Sequence, residues 1–393
     1  MAESLVLVVN PGSASRKYAL FENNQKKATV HFEFVNNKVV GTVDYNNQKQ
    51  SVEYDDEDLS NVARYVLSLL HQYNVIGEAD KLSAIGIRVV APSDSFAKDR
   101  LVDDEVIADL QSLQQKAPLH ITTALSEIRH LKEFFIDIPL IAISDSSFHN
   151  TKPNWASFYG IDTDLAKAGI KRYGYHGVSV GSVTKRLQES NQLANKTIIC
   201  HIGSGSSITA LINGKSVETT MGYSPLEGLM MSTRSGSMDI AAALAVKREL
   251  QLDDEGLEQY LNKNSGLIGV SGTSDDIRQL LTSEDQGDDK AKLALQLFVY
   301  KIQQAIGMMA ASMNGVDILV FTATIGERSF IIRERIIGQL GYLGFENDKA
   351  VNDSTFEPKE ITNIASGNSK PILVVATDES AEISRRVSEF IKE

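Results

Sequence analysis

The chain has 393 residues, which is long for a single hydrophobic core, so its length predicts two domains. Its net charge of −12 and isoelectric point near 5.2 argue against nucleic acid or an anionic membrane as a partner. Cys200 is the single cysteine, so the chain cannot form an internal disulfide, which favours a reducing compartment. It lies in an apolar run that predicts a buried structural thiol. No apolar run reaches membrane-spanning length, and the residues before Asn10 lack the features of a signal peptide. We therefore expect a cytoplasmic protein.

Short β-type runs fill the first 55 residues and are separated by pairs of asparagine, a pattern that predicts a meander. Helical periodicity and apolar runs then follow one another. The predicted helices are 57–75, 103–116 and 121–134, and the predicted buried strands are 82–91 and 139–144. This order of elements is typical of an α/β fold.

The second half repeats this plan from Thr197 onward. After a hairpin, the predicted elements are helices at 239–248, 253–263 and 289–314, strands at 317–323 and 371–377, and a charged helix to the end. The helix at 289–314 is apolar nearly all round and is therefore expected to be buried. Its apolar residues are Leu293, Leu295, Leu297, Phe298, Ile302, Ile306, Met308 and Met309. The domain boundary is predicted near 151–155.

Two stretches 191 positions apart share one design, Leu7–Asn24 and Ile198–Lys215. When Gly12 is aligned with Gly203, small and apolar residues match on both sides, and each stretch predicts a β-hairpin with a Gly/Ser first turn. Such a turn exposes backbone N–H groups and hydroxyls that suit a phosphate. The pair predicts a duplicated fold with two phosphate loops facing one cleft. The alternative is two ordinary tight hairpins.

Four other segments place a candidate residue where ligands bind. Arg234 stands among small residues that leave its guanidinium free to meet a phosphate or carboxylate; the alternative is an exposed structural arginine. Asp145 ends a predicted strand, a position that faces the ligand cleft in α/β proteins. His176 precedes a predicted helix, and the alternative for it is a core histidine. In 321–329, Gly326 is predicted to form the corner between a strand and a helix whose N-terminus would receive a nucleotide.

In their order along the chain, these motifs resemble the acetate kinase family of carboxylate kinases, within the sugar kinase, heat-shock chaperone and actin superfamily. The resemblance runs nearly end to end and rests on VNPGSASRKY, APLH, SDSSFHNTKP, RYGYHGVS, HIGSGSS, MGYSPLEGLMMSTRSG, SGTSDDIR, FTATIGER and VVATDE. It implies an α/β fold of two duplicated ribonuclease-H-like (actin-like ATPase) domains with an interdomain cleft, and a homodimer. The implied domains are 1–152, completed by a C-terminal helix at 380–393, and 153–379.

The same resemblance implies roles for individual positions. The implied catalytic residues are Arg88, Asp145, His176 and Arg234. The two arginines would hold the carboxylate and the phosphoryl group, and the histidine would hydrogen-bond that group in the transition state. Asp145 would join Asn10 and Glu379 in orienting Mg²⁺ (or Mn²⁺) and its waters. The implied phosphate and nucleotide contacts are Ser13, Ser15, Lys17, His201, Gly203, Ser204, Gly205, Asp276, Ile277, Arg278, Thr324, Gly326 and Arg328. The implied pocket for the acyl tail is formed by Val90, Leu119, His120, Tyr175 and Pro225.

The implied activity is the reversible, Mg²⁺-dependent transfer of the γ-phosphoryl group of ATP to acetate or another short carboxylate, giving an acyl phosphate and ADP. Acetate is ionised at neutral pH, so no general base is needed and the transfer depends on positioning and charge neutralisation. Two arginines, a histidine and Mg²⁺ would supply positive charge in a chain that is negative overall.

The chain departs from the usual pattern of the family around these residues. Ala91-Pro92-Ser93 stand where a His-Gly-Gly run is usual, and Val180 takes the place of a histidine. Thr324 replaces a glycine and Arg328 an asparagine in the nucleotide turn. The expected consequence is weaker ATP affinity, another base, or pyrophosphate as the donor. Ala91 would admit a longer acyl tail, whereas the Tyr175 hydroxyl would favour a more polar one.

Three alternatives stay open at this point. A propionate or butyrate kinase, or a pyrophosphate-dependent acetate kinase, would share nearly all of these residues. A regulatory homologue would bind nucleotide without turnover, although the retained arginines and carboxylates argue against it. An actin-like or chaperone-like ATPase would hydrolyse ATP without an acyl acceptor and would not need two arginines directed at a carboxylate.

Overall fold

The computed structural model describes residues 4–11, 15–56, 58–77, 80–114 and 118–392, apart from the side chains of 118–120. The chain divides into two compact units. Unit 1 is Met1–Ser147 with Asp378–Glu393, and unit 2 is Phe148–Thr377. Among the described residues, no helix combines the length and the apolar character that crossing a membrane requires. Because unit 1 includes Asp378–Glu393, the last helix of the chain belongs with the first strands.

Unit 1 opens with an antiparallel meander, which confirms the prediction for this segment. Its strands are β1 (Leu5–Pro11), β2 (Ser15–Glu22), β3 (Gln25–Val35), β4 (Lys38–Tyr45) and β5 (Gln48–Tyr54). The last three turns are left-handed asparagine pairs, with φ between 50° and 65° at Asn23-Asn24, Asn36-Asn37 and Asn46-Asn47. Two-residue hairpins of type I′ require this conformation, and asparagine adopts it more readily than most residues.

Unit 1 continues with α1 (Ala63–Gln72), β6 (Leu82–Val89), β7 (Arg100–Leu101), α2 (Asp104–Leu113), α3 (Pro118–Phe134) and β8 (Leu140–Ser144). Helix α1 is shorter than the predicted span. Before it, the backbone N–H of Ser60 donates to Asp58 Oδ1 at 2.7 Å and forms a turn. After it, Asn74 takes a left-handed φ of 54°, which ends the helix.

Unit 2 contains six strands and eleven α-helices in its described residues. The helices before the sheet are α4 (Asn154–Ser157), α5 (Thr163–Lys167) and α6 (Gly177–Glu189). The hairpin strands are β9 (Lys196–Ile202), β10 (Ser206–Ile212) and β11 (Lys215–Thr219). The elements that follow are α7 (Ile240–Glu249), α8 (Asp254–Lys263), α9 (Gly266–Ser271), α10 (Ile277–Asp285), α11 (Asp289–Ser312), β12 (Ile318–Thr322), α12 (Ala323–Arg328), α13 (Phe330–Ile337), α14 (Lys349–Ser354), β13 (Thr362–Asn363) and β14 (Ile372–Val374).

The two units share one sheet plan. The central order is β3-β2-β1-β6-β8 in unit 1 and β11-β10-β9-β12-β14 in unit 2. The hairpin strands β1, β2 and β3 pair antiparallel, as do β9, β10 and β11. Strands β1, β6 and β8 run parallel to one another in unit 1, and β9, β12 and β14 do so in unit 2. The duplication predicted from the two hairpin stretches is therefore confirmed at the level of the fold.

Helix α11 is less buried than predicted. One face packs into the core of unit 2 through residues such as Phe298 and Ile302, which are fully buried. Leu293 and Met308, however, are 55% and 48% exposed. The prediction of a buried helix is thus confirmed for five of the eight apolar residues on which it rested, which are fully buried, and fails at Leu293 and Met308, which lie away from the core.

Helix α15 (Glu379–Phe390) completes unit 1 by packing against β6. The contact is closest at Gly86, where a methyl group would lie 2.9 Å from Cγ2 of Ile383 and nearer still to Val387. Glycine is required there because any side chain would push the helix away from the strand.

Candidate active site

In unit 1 the candidate residues lie near the carboxyl ends of the parallel strands β6 and β8. Arg88 donates two hydrogen bonds to Asp145, from Nε to Oδ1 at 3.0 Å and from Nη2 to Oδ2 at 2.9 Å. Asp145 is fully buried, and its backbone N–H donates to the carbonyl of Val89 at 2.9 Å. The two parallel bonds fix both the position and the plane of the guanidinium.

A second carboxylate, Glu379 in the first turn of α15, faces the same guanidinium. Its Oε2 accepts a hydrogen bond from Asn10 Nδ2 at 2.9 Å and lies 3.6 Å from Arg88 Nη1. Burial alone would lower the pKa of Arg88, but the charges of Asp145 and Glu379 outweigh it and raise that pKa. Two carboxylates thus share one cation, which leaves the cluster with a net negative charge.

This cluster suits a magnesium ion in its chemistry. Mg²⁺ prefers oxygen ligands and commonly takes one or two carboxylates from a protein, together with water and phosphate oxygens. Within the described ranges, no three or more His, Cys, Asp or Glu side chains are grouped to hold a metal. Asn10, Asp145 and Glu379 therefore fit a partial set of ligands or water-holding groups that a bound phosphate would complete.

In unit 2 the candidate phosphate loop is the tight corner between β9 and β10. The N–H of Gly203 donates to the carbonyl of Gly205 at 3.1 Å, and Ser206 Oγ donates to the carbonyl of Gly203 at 3.1 Å. A methyl group on Gly205 would lie 3.1 Å from Nε2 of His176 and 3.6 Å from Nη1 of Arg234. The structure therefore brings His176, Arg234 and the loop together around the Cα of Gly205.

His176 and His201 stack with their ring centroids 4.1 Å apart. Each ring is held through Nδ1 by a serine hydroxyl, His176 by Ser207 at 3.0 Å and His201 by Ser179 at 2.8 Å. Because Nδ1 is engaged in both rings, Nε2 is the atom that faces the loop glycines. The stack therefore presents two imidazole nitrogens to the place where a phosphate would lie.

The backbone of His176 is also unusual. Its φ of 61° lies in the left-handed region, directly before α6, and the side chain is only half-buried. A histidine held in this conformation costs of order 1–3 kcal/mol, and residues so strained cluster at functional sites. These observations favour the functional interpretation of His176 over that of a core histidine.

Arg234 lies in a loop that backbone contacts hold in place. Ser232 N–H donates to the carbonyl of Ser204 at 3.2 Å, which ties this loop to the phosphate loop. Gly266, with φ of 66°, packs so closely that a methyl group there would lie 2.8 Å from the backbone N and O of Arg234. The guanidinium itself contacts the carbonyl of Pro225, with Nη1 at 3.5 Å. Arg234 is therefore a positioned arginine and not a mobile surface side chain.

Two residues of the predicted acyl pocket lie in the same unit as Arg234. Tyr175 and Pro225 are both buried, and Val90 in unit 1 is half-buried. The Tyr175 hydroxyl donates to the carbonyl of Tyr223 at 2.7 Å. This hydrogen bond uses the hydroxyl proton, so a polar acyl tail could meet this group only as a donor to its oxygen.

An ion-pair network beside this segment was missed by reasoning from the sequence. Arg172 donates to Glu227 Oε1 at 3.0 Å, to Glu218 Oε1 at 2.9 Å and to the carbonyl of Thr219 at 2.7 Å. Tyr159 donates to the other carboxylate oxygen of Glu227. The arginine is visible within RYGYHGVS, but no local pattern indicates partners about fifty positions away.

The nucleotide turn has a different corner from the one predicted. Gly326 is buried inside α12, and the corner lies at Ala323, whose φ is 65°. The Glu327 carboxylate accepts from the N–H of Ala323 at 2.8 Å and from the N–H of Thr377 at 3.1 Å. The prediction that Gly326 forms the corner is wrong, because the Glu327 side chain stabilises the tight turn at Ala323 without a glycine.

The two unusual residues of this turn, Thr324 and Arg328, lie one helical turn apart and are both exposed. Arg328 Nε donates to Glu357 Oε1 at 2.6 Å, and a second N–H donates to the same oxygen. Its guanidinium lies 6.0 Å from the ring centroid of Phe356. The charge that Arg328 adds to the turn is therefore already paired with a carboxylate.

The other predicted nucleotide contacts begin helix α10. Asp276 accepts from the backbone N–H of Arg278 at 2.8 Å and pairs with its side chain, from Nη2 to Oδ2 at 2.6 Å. These hydrogen bonds lower the pKa of Asp276. Ile277 between them is buried in the core of unit 2, whereas the Arg278 side chain is exposed.

The remaining candidates are placed as follows. Ser13 lies outside the described residues, as do the side chains of Leu119 and His120. Ser15 and Lys17 lie on β2, the first half-buried and the second exposed.

Comparison with known proteins gives matches over almost the whole chain. The sequence model of the Acetokinase family matches residues 5–385. An acetate kinase of Clostridium novyi is 35% identical, over 98% of this chain and 98% of that protein. The structure matches that of an acetate kinase from Porphyromonas gingivalis with a TM-score of 0.88 and 32% identity, over 99% of this chain and 100% of the other. It matches that of a propionate kinase from Francisella tularensis subsp. tularensis with a TM-score of 0.89 and 32% identity, over 98% of each.

The two sheets share one plan, and a glycine loop, a histidine and an arginine meet in unit 2. Together with the matching structures, these features define a kinase of the two-domain actin-like ATPase fold. The chain belongs to the acetokinase family. Its members transfer phosphate to a carboxylate, use ATP and, in general, a divalent metal ion. The predicted family, fold class and enzyme class are confirmed.

Proposed function

We propose that this protein catalyses the reversible, Mg²⁺-dependent transfer of the γ-phosphoryl group of ATP to acetate, giving acetyl phosphate and ADP. The proposal rests on one observation above all, the meeting of His176 and Arg234 at Gly205. Propionate is the second candidate acceptor, because an acetate kinase and a propionate kinase match the structure almost equally, with TM-scores of 0.88 and 0.89.

The reaction requires positive charge and alignment more than proton transfer, because the carboxylate nucleophile is already ionised. We assign Arg234 and Nε2 of His176 to the charge that develops on the transferring phosphoryl group. His201 supports the His176 ring by stacking, and the side-chain-free Gly205 leaves room for phosphate oxygens. Arg88, held rigid by Asp145, is assigned to the carboxylate substrate.

We assign the metal to Asn10, Asp145 and Glu379, as direct ligands or through water. Bound there, Mg²⁺ supplies charge neutralisation to the phosphate oxygens. The protein's own contribution is to place both carboxylates beside Arg88 and to hold Glu379 in place through the Asn10 side-chain amide. EDTA is expected to abolish turnover, and added Mg²⁺ to restore it.

The direct test is to incubate the purified protein with Mg-ATP and acetate, propionate or butyrate, and to trap the acyl phosphate as a hydroxamate. We expect product with all three acids, and the highest kcat/KM with acetate. One methylene group is worth about 1–3 kcal/mol of discrimination. Absence of product from every acid would contradict the proposed function.

Replacement of Gly205 by alanine tests the loop. The new methyl group would lie 3.1 Å from His176 Nε2, so the ring must shift by a few tenths of an ångström. We expect kcat to fall by about 10–100-fold, since alignment of this kind is worth such factors. Gly341→Ala is the matched control, because a methyl group there meets no atom within 4 Å. Equal rates for the two variants would remove Gly205 from the site.

The donor is proposed to be ATP and not pyrophosphate, because Glu357 already neutralises the extra cation, Arg328. The pair is about half exposed, and such pairs are worth up to about 1 kcal/mol, or fivefold in affinity. We therefore expect Arg328→Asn to change KM for ATP by less than about fivefold, and pyrophosphate not to replace ATP. A larger change, or turnover with pyrophosphate, would restore the altered-donor hypothesis.

We propose a homodimer, the state typical of this family, with helix α7 at the interface. This helix is described throughout and has no buried residue, and Ile240 is 79% exposed. Apolar surfaces of this kind mark contacts between proteins. Light scattering is expected to give a dimer for the wild type and a monomer for the Ile240→Asp/Leu244→Asp variant. Ile136→Asp, at a site in unit 1 that is 72% exposed, should leave the mass unchanged, and a monomeric wild type would exclude the dimer.

A cytoplasmic location is also proposed, on the basis of cysteine usage. Cys200 is fully buried, and burial raises the pKa of its thiol. A thiol in this state is structural and unreactive, and a chain with one such cysteine has no internal disulfide to form. Fractionation of the native cells would check the location.

A further inference from the structure

A largely buried ion pair outside the assigned site holds the end of β8, the strand directly before Asp145. We propose that Asp99 and Arg386 act as one positioning unit for Asp145 and Glu379, and thereby set the rate of phosphoryl transfer without touching substrate. The inference rests on the function proposed above, because it assumes that these two carboxylates serve the reaction.

The pair forms hydrogen bonds with both the backbone N–H and the backbone carbonyl of Ser144. Asp99 Oδ1 accepts from the N–H of Ser144 at 2.9 Å, and Arg386 Nη2 donates to the carbonyl of the same residue at 3.0 Å. Arg386 also donates to Asp99, from Nε to Oδ2 at 2.9 Å and from Nη2 to Oδ1. The two side chains are 12% and 16% exposed, so water competes little for these bonds.

Ser144 is the last residue of β8 and the one before Asp145, so its backbone sets the direction in which the Asp145 side chain leaves the strand. Arg386 Nη2 further donates to Ser147 Oγ at 2.6 Å, and Ser147 Oγ donates to the carbonyl of Ser144 at 3.0 Å. The turn from Ser144 to Ser147 is thus fixed at both ends. A displacement of about 1 Å at a catalytic group can lower a rate by about 10²-fold.

The same arginine fixes the helix that carries Glu379. Arg386 follows Glu379 by seven residues, which is nearly two full turns, so both lie on one face of α15 about 10 Å apart. Glu379 is engaged by Asn10 at one end, and Arg386 is engaged by Asp99 at the other. Close packing on Gly86 sets the depth of the helix between them. The two anchors together oppose both rotation and sliding of α15 against the sheet.

Buried ion pairs contribute little to net stability compared with apolar residues of the same shape, so stability alone is a weak reason for this pair. Its bonds instead join the backbone beside Asp145 to α15, the helix that carries Glu379. Groups that orient ligands in this way typically change metal affinity or activity 10–100-fold when removed.

The test is Arg386→Ala in the full-length enzyme. We expect kcat for acyl phosphate formation to fall 10–100-fold and the half-saturating Mg²⁺ concentration to rise several-fold, with KM for ATP changed less than threefold. Arg386→Lys keeps the charge but not the fork of donors, and should give an intermediate loss. Asp99→Ala should match Arg386→Ala, and the double variant should be no worse than either, because the two residues act as one unit.

Arg385→Ala is the matched control. This neighbour pairs with Glu382 and Glu389 on the same helix, at 2.7 and 2.6 Å, and should keep kcat within about twofold. Hydrogen exchange of the 140–147 peptide provides a readout that needs no turnover, and Arg386→Ala should speed it. The proposal is overturned if exchange and Mg²⁺ dependence stay as in the wild type in Arg386→Ala, or in Arg386→Lys should the alanine variant not fold. A wild type that forms no acyl phosphate would contradict the proposed function, whereas the exchange comparison would still decide the positioning role.

Discussion

Arg234→Ala is expected to lower kcat for acyl phosphate formation by about 10³-fold or more, the largest loss of any single change considered. Arginines that neutralise a transferring phosphoryl group are worth factors of this size. The guanidinium lies 3.6 Å from the position of a methyl group on Gly205, beside the imidazole of His176. Arg234→Lys keeps one charge but loses the planar fork, so it should recover only a small part of the rate.

The measurement is kcat by the hydroxamate assay, with thermal unfolding to show that each variant is folded. Arg129→Ala is the control, because this arginine is exposed on α3 and should leave kcat unchanged. An Arg234→Ala variant that keeps a tenth of the wild-type rate would exclude Arg234 from phosphoryl transfer. The assignment of His176 and the loop around Gly205 would then need another cation.

Arg333→Met is expected to reduce the free energy of unfolding by about 3–5 kcal/mol, which is exceptional for one substitution. Arg333 is fully buried in α13, and burial lowers its pKa to about 10. The oxygens that accept from it in the described part of the chain are all neutral: the carbonyls of Gly326, Glu327, Asn352 and Thr355 and the Asn352 side-chain oxygen, at 2.7 to 3.0 Å. The methionine would remove all of these bonds, although the carbonyls of Asn352 and Glu327 would each keep one backbone donor, the N–H of Thr355 at 3.1 Å and of Glu357 at 3.3 Å.

This arginine also joins the carboxyl end of α12 to the end of α14, so its loss should disturb the nucleotide turn and raise KM for ATP. Arg335→Met is the matched control on the same helix. Arg335 pairs with Glu284 at 2.7 Å nearer the surface, and its loss should cost about 1 kcal/mol or less. Equal losses for the two variants in urea denaturation would show that the buried bonds of Arg333 are not special.

The features that sequence reasoning recovered have local causes. Each asparagine pair in the meander marks a turn because asparagine tolerates a positive φ, and the strands alternate between buried and exposed positions on either side. Asp145 became a candidate because it ends a predicted strand, where α/β proteins place ligands, whereas Arg88 was named only from the family resemblance. Both signals lie within a few residues of the feature they indicate.

The features that it missed depend on distant partners. Arg172 and Arg333 look like ordinary arginines, because the oxygens they bind lie between 6 and 55 positions away and many are backbone carbonyls. The corner at Ala323 was misplaced to Gly326 for a related reason. A glycine is the usual residue for a positive φ, and nothing in the sequence shows that Glu327 would stabilise an alanine there. Tertiary hydrogen bonds of this kind leave no periodic pattern.

The division of the chain has a consequence for its synthesis. Unit 2 is continuous, whereas unit 1 is complete only when α15 joins the strands that the ribosome made first. Domains generally fold as whole units when their chain has emerged. The N-terminal unit should therefore be the last to finish folding, and during translation its β6 surface at Gly86 waits for a partner made some 290 residues later. Loss of α15 to a protease or an early stop codon would therefore leave the N-terminal strands without their packing partner, although the cut lies at the C-terminal end of the chain.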